Sequence, residues 1–250
     1  MKEENIVKVA LVTGASRGIG ASIALGLAAE GFNIAVTSRV GENLREICQQ
    51  ILQTNRLTFP VELDVRKPES IEDAINNIED KFGPIEVLVN NAGVNIPEAA
   101  LDLSIEQWDE VLDTNLRGLF FCSQAVAQHM RQRGIGKIVN ISSAAGLRAT
   151  DDRAHYGSSK AGLNFLTKNL AFEWAKFNIT VNAVAPTFVR TDLSEQTLKD
   201  PKLRSYYLDK IPLGRFGTTL DVVNAVKFLV SPSSDFITGI TLPIDGGFHL

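Results

Sequence analysis

Cysteine is nearly absent from this 250-residue chain. Cys48 and Cys122 are the only two, and both fall inside helical patterns. A disulfide framework is therefore excluded, and a reduced, cytoplasmic protein is expected. Histidine is as sparse: His129, His155 and His249 have no ligand-like spacing, so no metal site is expected. No apolar run approaches a membrane span. Glu3 and Glu4 stand where a secretory leader would carry basic residues. Basic residues do not predominate: 25 Lys and Arg face 29 Asp and Glu, a net charge of −4. That balance argues against nucleic acid or an anionic membrane as a partner. The nucleophile elbow G-x-S-x-G is missing, and no lysine of a P-loop follows the glycine-rich stretch near the N-terminus. Internal repeats, low-complexity tracts and linker-like stretches are missing too.

What is present is an alternation of two hydrophobic periods. Apolar runs rich in β-branched residues read as strands at Ile6 to Thr13, Asn33 to Ser38, Leu57 to Leu63, Ile85 to Val89, Gly136 to Ile141, Ile179 to Ala185 and Ile240 to Ile244. Helical patterns separate them: residues 20–30, Glu42 to Thr54, Pro68 to Phe82, Ser104 to Gln132, Arg153 to Phe177 and Leu220 to Val230. Residues 191–215 are less regular and read as a flap with a short helix or two. Strand and helix in strict alternation predict one α/β domain over residues 1–250, doubly wound around a parallel sheet of about seven strands.

The first strand runs into Thr13-Gly14-Ala15-Ser16-Arg17-Gly18-Ile19-Gly20 and then a helix. Glycines let the backbone approach a pyrophosphate, and free amides at a helix start bind its charge. The second strand ends at Ser38-Arg39, where a dinucleotide fold reads the adenine ribose. An acid there binds the 2′-hydroxyl of NAD, whereas arginine accommodates the 2′-phosphate of NADP. Arg39 together with Arg17 therefore points to NADP(H) over NAD(H).

Tyr156 and Lys160 lie four apart on one helical pattern, so both face one site. A cation beside a phenol lowers its pKa, and a tyrosine so tuned can exchange a proton near neutral pH. The pair alone is common by chance. Ser143, thirteen residues earlier and across a short loop with Gly146, follows a strand and is expected beside the phenol. A hydride delivered to a carbonyl carbon leaves an oxygen that needs a proton from Tyr156 and a hydrogen bond from Ser143. Asp64, Asn91 to Gly93 and Pro186 to Thr191 also follow strands and should line the same edge.

In the order and spacing of Thr13-Gly14-x3-Gly18-x-Gly20, Asp64-Val65, Asn90-Asn91-Ala92-Gly93, Asn115, Ser143, Tyr156-x3-Lys160 and Pro186 to Thr191, the chain resembles the short-chain dehydrogenase/reductase family over essentially its full length. The resemblance implies a Rossmann-like fold and a catalytic tetrad of Asn115, Ser143, Tyr156 and Lys160. By it, Lys160 also holds the nicotinamide ribose, and Asn115 bends its helix and holds a water in a proton relay. Asp64 and Val65 flank the adenine, Asn91, Ala92 and Gly93 lie along the cofactor, and Val189 and Thr191 meet its carboxamide end. A homo-oligomer is implied, a dimer or tetramer that pairs the helices of Asn115 and Tyr156. Thr187 departs from the family's usual Pro-Gly after Pro186.

Two branches compete for the substrate. The glycine loop and the NADP reading resemble reductases of 3-oxoacyl groups on acyl carrier protein. Asn95-Ile96-Pro97, 173–179 and 200–217 resemble dehydrogenases of sugar acids and polyols. An acidic carrier needs a basic entrance. Phe177 stands where carrier reductases place an arginine, although Lys176 and Arg133 lie close by. A small polar ketone or alcohol is therefore preferred. A dinucleotide-binding regulatory protein and a cofactor-free scaffold are the non-enzymatic alternatives.

Overall fold

Val9–Val12 form strand β1, and all four side chains are buried. Alternate residues of a strand point to opposite faces, so a strand buried throughout needs helices on both sides. The computed structural model, which describes residues 8–191 and 199–250, provides them. The strands are β2 (Asn33–Ser38), β3 (Thr58–Glu62), β4 (Ile85–Asn90), β5 (Gly136–Ile141), β6 (Ile179–Pro186) and β7 (Thr241–Ile244). They pair in the order β3-β2-β1-β4-β5-β6-β7, and every pair is parallel. The chain winds outward from β1 to β3, then returns to start β4 on the other side of β1. Ligand crevices open at such a reversal, beyond the strand carboxyl ends.

One face packs α1 (Gly18–Ala29), α2 (Arg45–Leu52) and the last helix, α8 (Thr219–Val230), on Ala10, Val12, Val36 and Val89. The opposite face packs α3 (Pro68–Lys81), α5 (Leu119–Arg133) and α6 (Ala154–Trp174) on Val9, Leu11, Leu88 and Ile138. A third, smaller cluster lies under the flap. There Ile211, Phe216 and Phe248 gather with Phe188 and with Tyr207 of α7 (Pro201–Leu208).

The expected strands and helices are all found, with ends shifted by a few residues. The expected start of the first strand at Ile6 lies outside the described residues, as do positions 192–198 of the expected flap. The helix anticipated from Ser104 to Gln132 is found: α4 (Ile105–Leu112) runs through a wider π-turn, Asp113–Gly118, which contains Asn115, directly into α5. A Cβ on Gly118 would lie 2.5 Å from the Val65 carbonyl oxygen, so this turn approaches β3's exit loop as only glycine allows.

Candidate active site

The floor of the cleft is bare backbone. Gly14 has φ +63°, and a Cβ there would sit 2.8 Å from Ala92 Cα. A Cβ on Gly20 would lie 2.5 Å from the Gly14 oxygen and strike the Asn91 amide. Side-chain hydrogen bonds lock this approach. Asn91 Nδ2 donates to the carbonyls of Thr13 (3.0 Å) and Gly14 (2.9 Å), while Thr13 Oγ1 accepts from the amides of Asn91 and Ala92, both at 3.0 Å. Arg17 occupies the N-cap of α1 without a side-chain cap, so the first-turn amides are left for an anion.

At one end, Ser38 and Arg39 line the cleft with Asp64 and Val65. The Ser38 hydroxyl donates to the Val40 carbonyl. Arg39 is largely exposed, and its nearest recorded acid is Glu110, at 4.0 Å. Arg66, which sequence reasoning missed, grips Asp64. Its Nε donates to Oδ1 at 3.0 Å and its Nη2 to Oδ2 at 2.6 Å. That guanidinium holds the Asp64 carboxyl below the usual range against the opposing effect of burial. The signal available in the sequence was an arginine two residues beyond a strand-end aspartate.

At the other end, Ser143, Tyr156 and Lys160 share one wall with Asn91, Gly93 and Pro186. Ser143 caps a short 3₁₀ turn, Ala144–Gly146, by accepting from the Ala145 amide at 3.2 Å. Gly146 permits the turn to lie on α6, since a Cβ there would be 2.7 Å from the Lys160 carbonyl carbon. Lys160 is buried and donates to the Ile141 carbonyl at 2.8 Å. Burial pushes its ammonium down to about 8.

The expected effect of Lys160 on the phenol is corrected. Burial pushes the Tyr156 phenol above its ordinary value, and hydrogen bonding with Ser143 and the positive charge of Arg153 pull the other way. Lys160 stands 5.9 Å from the ring centre, and its ammonium does not offset the effect of burial on the phenol. The geometric expectation survives: both groups face the same cleft.

Asn115 lies behind this wall and does not line it. Its Oδ1 accepts from the Val94 amide, and its Nδ2 donates to the Val94 carbonyl, both at 2.8 Å, and to Ser159 Oγ at 3.2 Å. The amide thereby joins the loop after β4 to α6. Val189 is also off the wall: it is buried in the core and bridges to Gly217. Every other expected cofactor residue lines the cleft: Gly14, Ser16, Arg17, Gly18, Ile19 and Gly20 of the loop, then Ala92, Gly93 and Thr191 among the rest. Asn95 and Thr114 line it without having been expected, and Thr187 lines it as part of the run from Pro186 to Thr191. Among the described residues no helix is long and apolar enough to cross a membrane, and no cluster of His, Cys, Asp or Glu could hold a metal.

The family model described as enoyl-(acyl carrier protein) reductase matches residues 14–249. The chain is 40% identical over 244 residues to the 3-oxoacyl-[acyl-carrier-protein] reductase FabG of Staphylococcus epidermidis, covering 97% of this chain and 99% of that one. It is 38% identical over 245 residues to the 2-dehydro-3-deoxy-D-gluconate 5-dehydrogenase of Escherichia coli, covering 96% and 95%. Among solved structures, the gluconate 5-dehydrogenase of Burkholderia cenocepacia, in complex with NADP and tartrate, superposes with a TM-score of 0.93 at 34% identity, over 96% of this chain and 94% of that one. Motif order, strand order and these relatives agree, and the chain belongs to the short-chain dehydrogenase/reductase family of oxidoreductases.

Proposed function

We propose that this enzyme is an NADP(H)-dependent oxidoreductase of a small polar ketone or secondary alcohol, such as a sugar acid or polyol. One observation carries the reading: Ser143, Tyr156 and Lys160 share a wall of a cleft whose floor is kept free of side chains by Gly14 and Gly20. The same glycine floor, the uncapped start of α1, and Arg17 and Arg39 at the rim suit a dinucleotide with a 2′-phosphate. NADPH, when bound, supplies the hydride.

The chain's own residues manage the proton and the orientation. Tyr156, whose raised pKa keeps it protonated at neutral pH, donates to the carbonyl oxygen during reduction. Ser143 donates a hydrogen bond to the same oxygen and polarises the carbonyl. Lys160, with its ammonium near 8, re-supplies the phenol and holds the cofactor ribose. Asn115 is a positioning residue: by anchoring Val94 and Ser159 it fixes the loop over Lys160 against the helix that carries Tyr156.

A 3-oxoacyl-carrier reductase is the second reading, favoured by the name of a 40%-identical relative. Against it, Arg133 is committed elsewhere. It holds Glu79 at 2.7 and 3.1 Å and also donates to the Ile85 carbonyl, so it is not free to dock an acidic carrier. The relatives that act on gluconate derivatives support the small polar substrate. We also read the protein as a homo-oligomer. Phe165 and Phe172 of α6 are 65% and 88% exposed, and Leu116, Phe120 and Phe165 line an apolar groove where the π-turn and α5 meet α6. Such a face suits a second copy.

The test is a screen of NADPH oxidation and NADP reduction across sugar acids, polyols, acetoacetyl thioesters and simple ketones. Turnover confined to acetoacetyl thioesters would establish the carrier-reductase reading, and turnover of sugar acids or polyols the one proposed.

A further inference from the structure

Beyond β7 the chain coils tightly, and Asp245 holds the coil. Its Oδ1 accepts from the Gly247 amide at 3.0 Å, and its Oδ2 accepts from the His249 amide at 2.9 Å. Phe248 is thereby turned inward and is 4% exposed. It gathers with Ala144, Ile211 and Phe216, and with Phe188 and Tyr207 packed against them. Two of these neighbours stand directly behind the cleft wall. Ala144 follows Ser143, and Phe188 follows Thr187; Ser143 and Thr187 both line the cleft. A third, Tyr207, belongs to the flap helix α7. Its ring centre lies 4.1 Å from that of Phe188, which meets the Phe248 ring edge-on at 6.0 Å. Arg148 closes the arrangement from the loop after Ser143. Its Nη1 donates to the Phe248 carbonyl at 2.6 Å, and its guanidinium lies 4.9 Å from the centre of the Phe248 ring.

The glycine loop at the other end of the cleft rests on a separate core, through Ala15 and Ile19. Closely packed side chains transmit a change of volume to the groups they touch, and less to groups beyond. We propose that Phe248 and Arg148 are positioning residues for the substrate end of the cleft. Through them the tail of the chain clasps α7 and the Ser143 turn in register, and the cofactor end is held independently. This rests on the oxidoreductase reading above and names the element that shapes its substrate site.

The experiment uses the full chain and the variants F248A, F248L and R148M. Steady-state kinetics with D-gluconate and NADP, and with 2,3-butanedione and NADPH, separate KM from kcat. Fluorescence titration gives NADPH affinity. Hydrogen–deuterium exchange follows α7, residues 143–148 and the glycine loop. F248A is expected to raise the substrate KM about tenfold and to speed exchange in α7 and in 143–148 by a similar factor. NADPH affinity and exchange in the glycine loop should stay as in the wild type. A merely destabilised enzyme would instead lose kcat at constant KM and exchange faster throughout, and that result overturns the proposal. F248L, which refills most of the space, should recover most of the KM. R148M should raise KM and α7 exchange about fivefold, the scale of one hydrogen bond. Added to F248A it should cost less than in the wild type, because the two residues touch. R148M carries the test if F248A fails to fold. Exchange needs no turnover, which separates the two levels. If α7 and 143–148 loosen selectively but no carbonyl of the screen is reduced in a Tyr156-dependent way, the clasp stands and the oxidoreductase reading falls. If reduction requires Tyr156 while KM and α7 exchange are unmoved in F248A and R148M, the clasp falls and the reading stands.

Discussion

Lys160 donates to the Ile141 carbonyl at 2.8 Å, and this bond ties the ammonium to the end of β5 while leaving it 5.9 Å from the centre of the Tyr156 ring. The lysine is buried for a purpose other than stability. Its ammonium is pushed from 10.5 down to about 8, which means that the folded state resists the charge.

Replacing Lys160 should therefore stabilise the protein while removing activity. Below pH 8 both folded and unfolded chains carry the proton, and the folded one bears a cost of about 3 kcal/mol. Between about 8 and 10.5 only the unfolded chain holds it, so wild-type stability rises with pH across that window. K160M escapes the cost, offset by about 1 kcal/mol for the unpaired Ile141 carbonyl. Thermal melts at pH 7 should show K160M several degrees above the wild type, with the gap closing toward pH 10.5. A K160M melt below the wild type at pH 7 would contradict this account.

Tyr156→Phe removes the proposed proton donor of the site and little else. We expect kcat to fall by about 10³-fold, within the range of general acid–base catalysis, with NADPH affinity retained in a fluorescence titration. Because burial raises the phenol's pKa, alcohol oxidation, which needs the phenolate, should rise about tenfold per pH unit between 6 and 8. Ketone reduction should stay flat there. A flat oxidation profile would mean that Tyr156 is not the base.

Arg39→Ala tests the cofactor preference. Arg39 is exposed and faces Glu110 only at 4.0 Å, so its loss should barely affect folding. NADPH should bind about 10- to 100-fold more weakly, with NADH little changed. Equal affinity of the wild type for NADH and NADPH would refute the assignment of Arg17 and Arg39.

Gly20→Ala places a Cβ 2.5 Å from the Gly14 oxygen and against the Asn91 amide. The clash spreads the loop and breaks the Asn91 bonds to Thr13 and Gly14. Cofactor binding should be lost to titration while far-ultraviolet circular dichroism still reports the sheet. Undiminished binding would show that the close approach is dispensable.

Phe165→Glu puts a charge on the apolar face of α6, where the wild-type ring is 65% exposed. Sedimentation analysis should find the wild type as a dimer or tetramer and the variant shifted to smaller species. A wild type that sediments as a monomer would remove this interface from the reading.

Local rules determined a great deal from the sequence alone. Seven runs of apolar and β-branched residues, each ending at a glycine, serine, asparagine, aspartate or proline, dictated the alternation of strands and helices, because a strand buried on both faces has no polar alternation to disguise it. Thr13 to Gly20 marked the glycine-rich floor of the cleft through backbone conformations that side chains forbid. The four-residue spacing of Tyr156 and Lys160 placed both on one wall, since helical geometry is local.

Tertiary structure decided everything that depends on distance between segments. The π-turn at Asp113–Gly118 brings Gly118 against Val65, 53 positions earlier in the chain. Asp64 is gripped by Arg66, and Arg133 is withdrawn onto Glu79. Val189 turns into the core when its neighbour Thr191 lines the cleft. The phenol's acidity followed the same division. The sequence set a cation four residues away, but burial acts on both groups at once, and the ammonium does not offset its effect on the phenol. Desolvation is a property of the packed molecule, and no spacing in the chain encodes it.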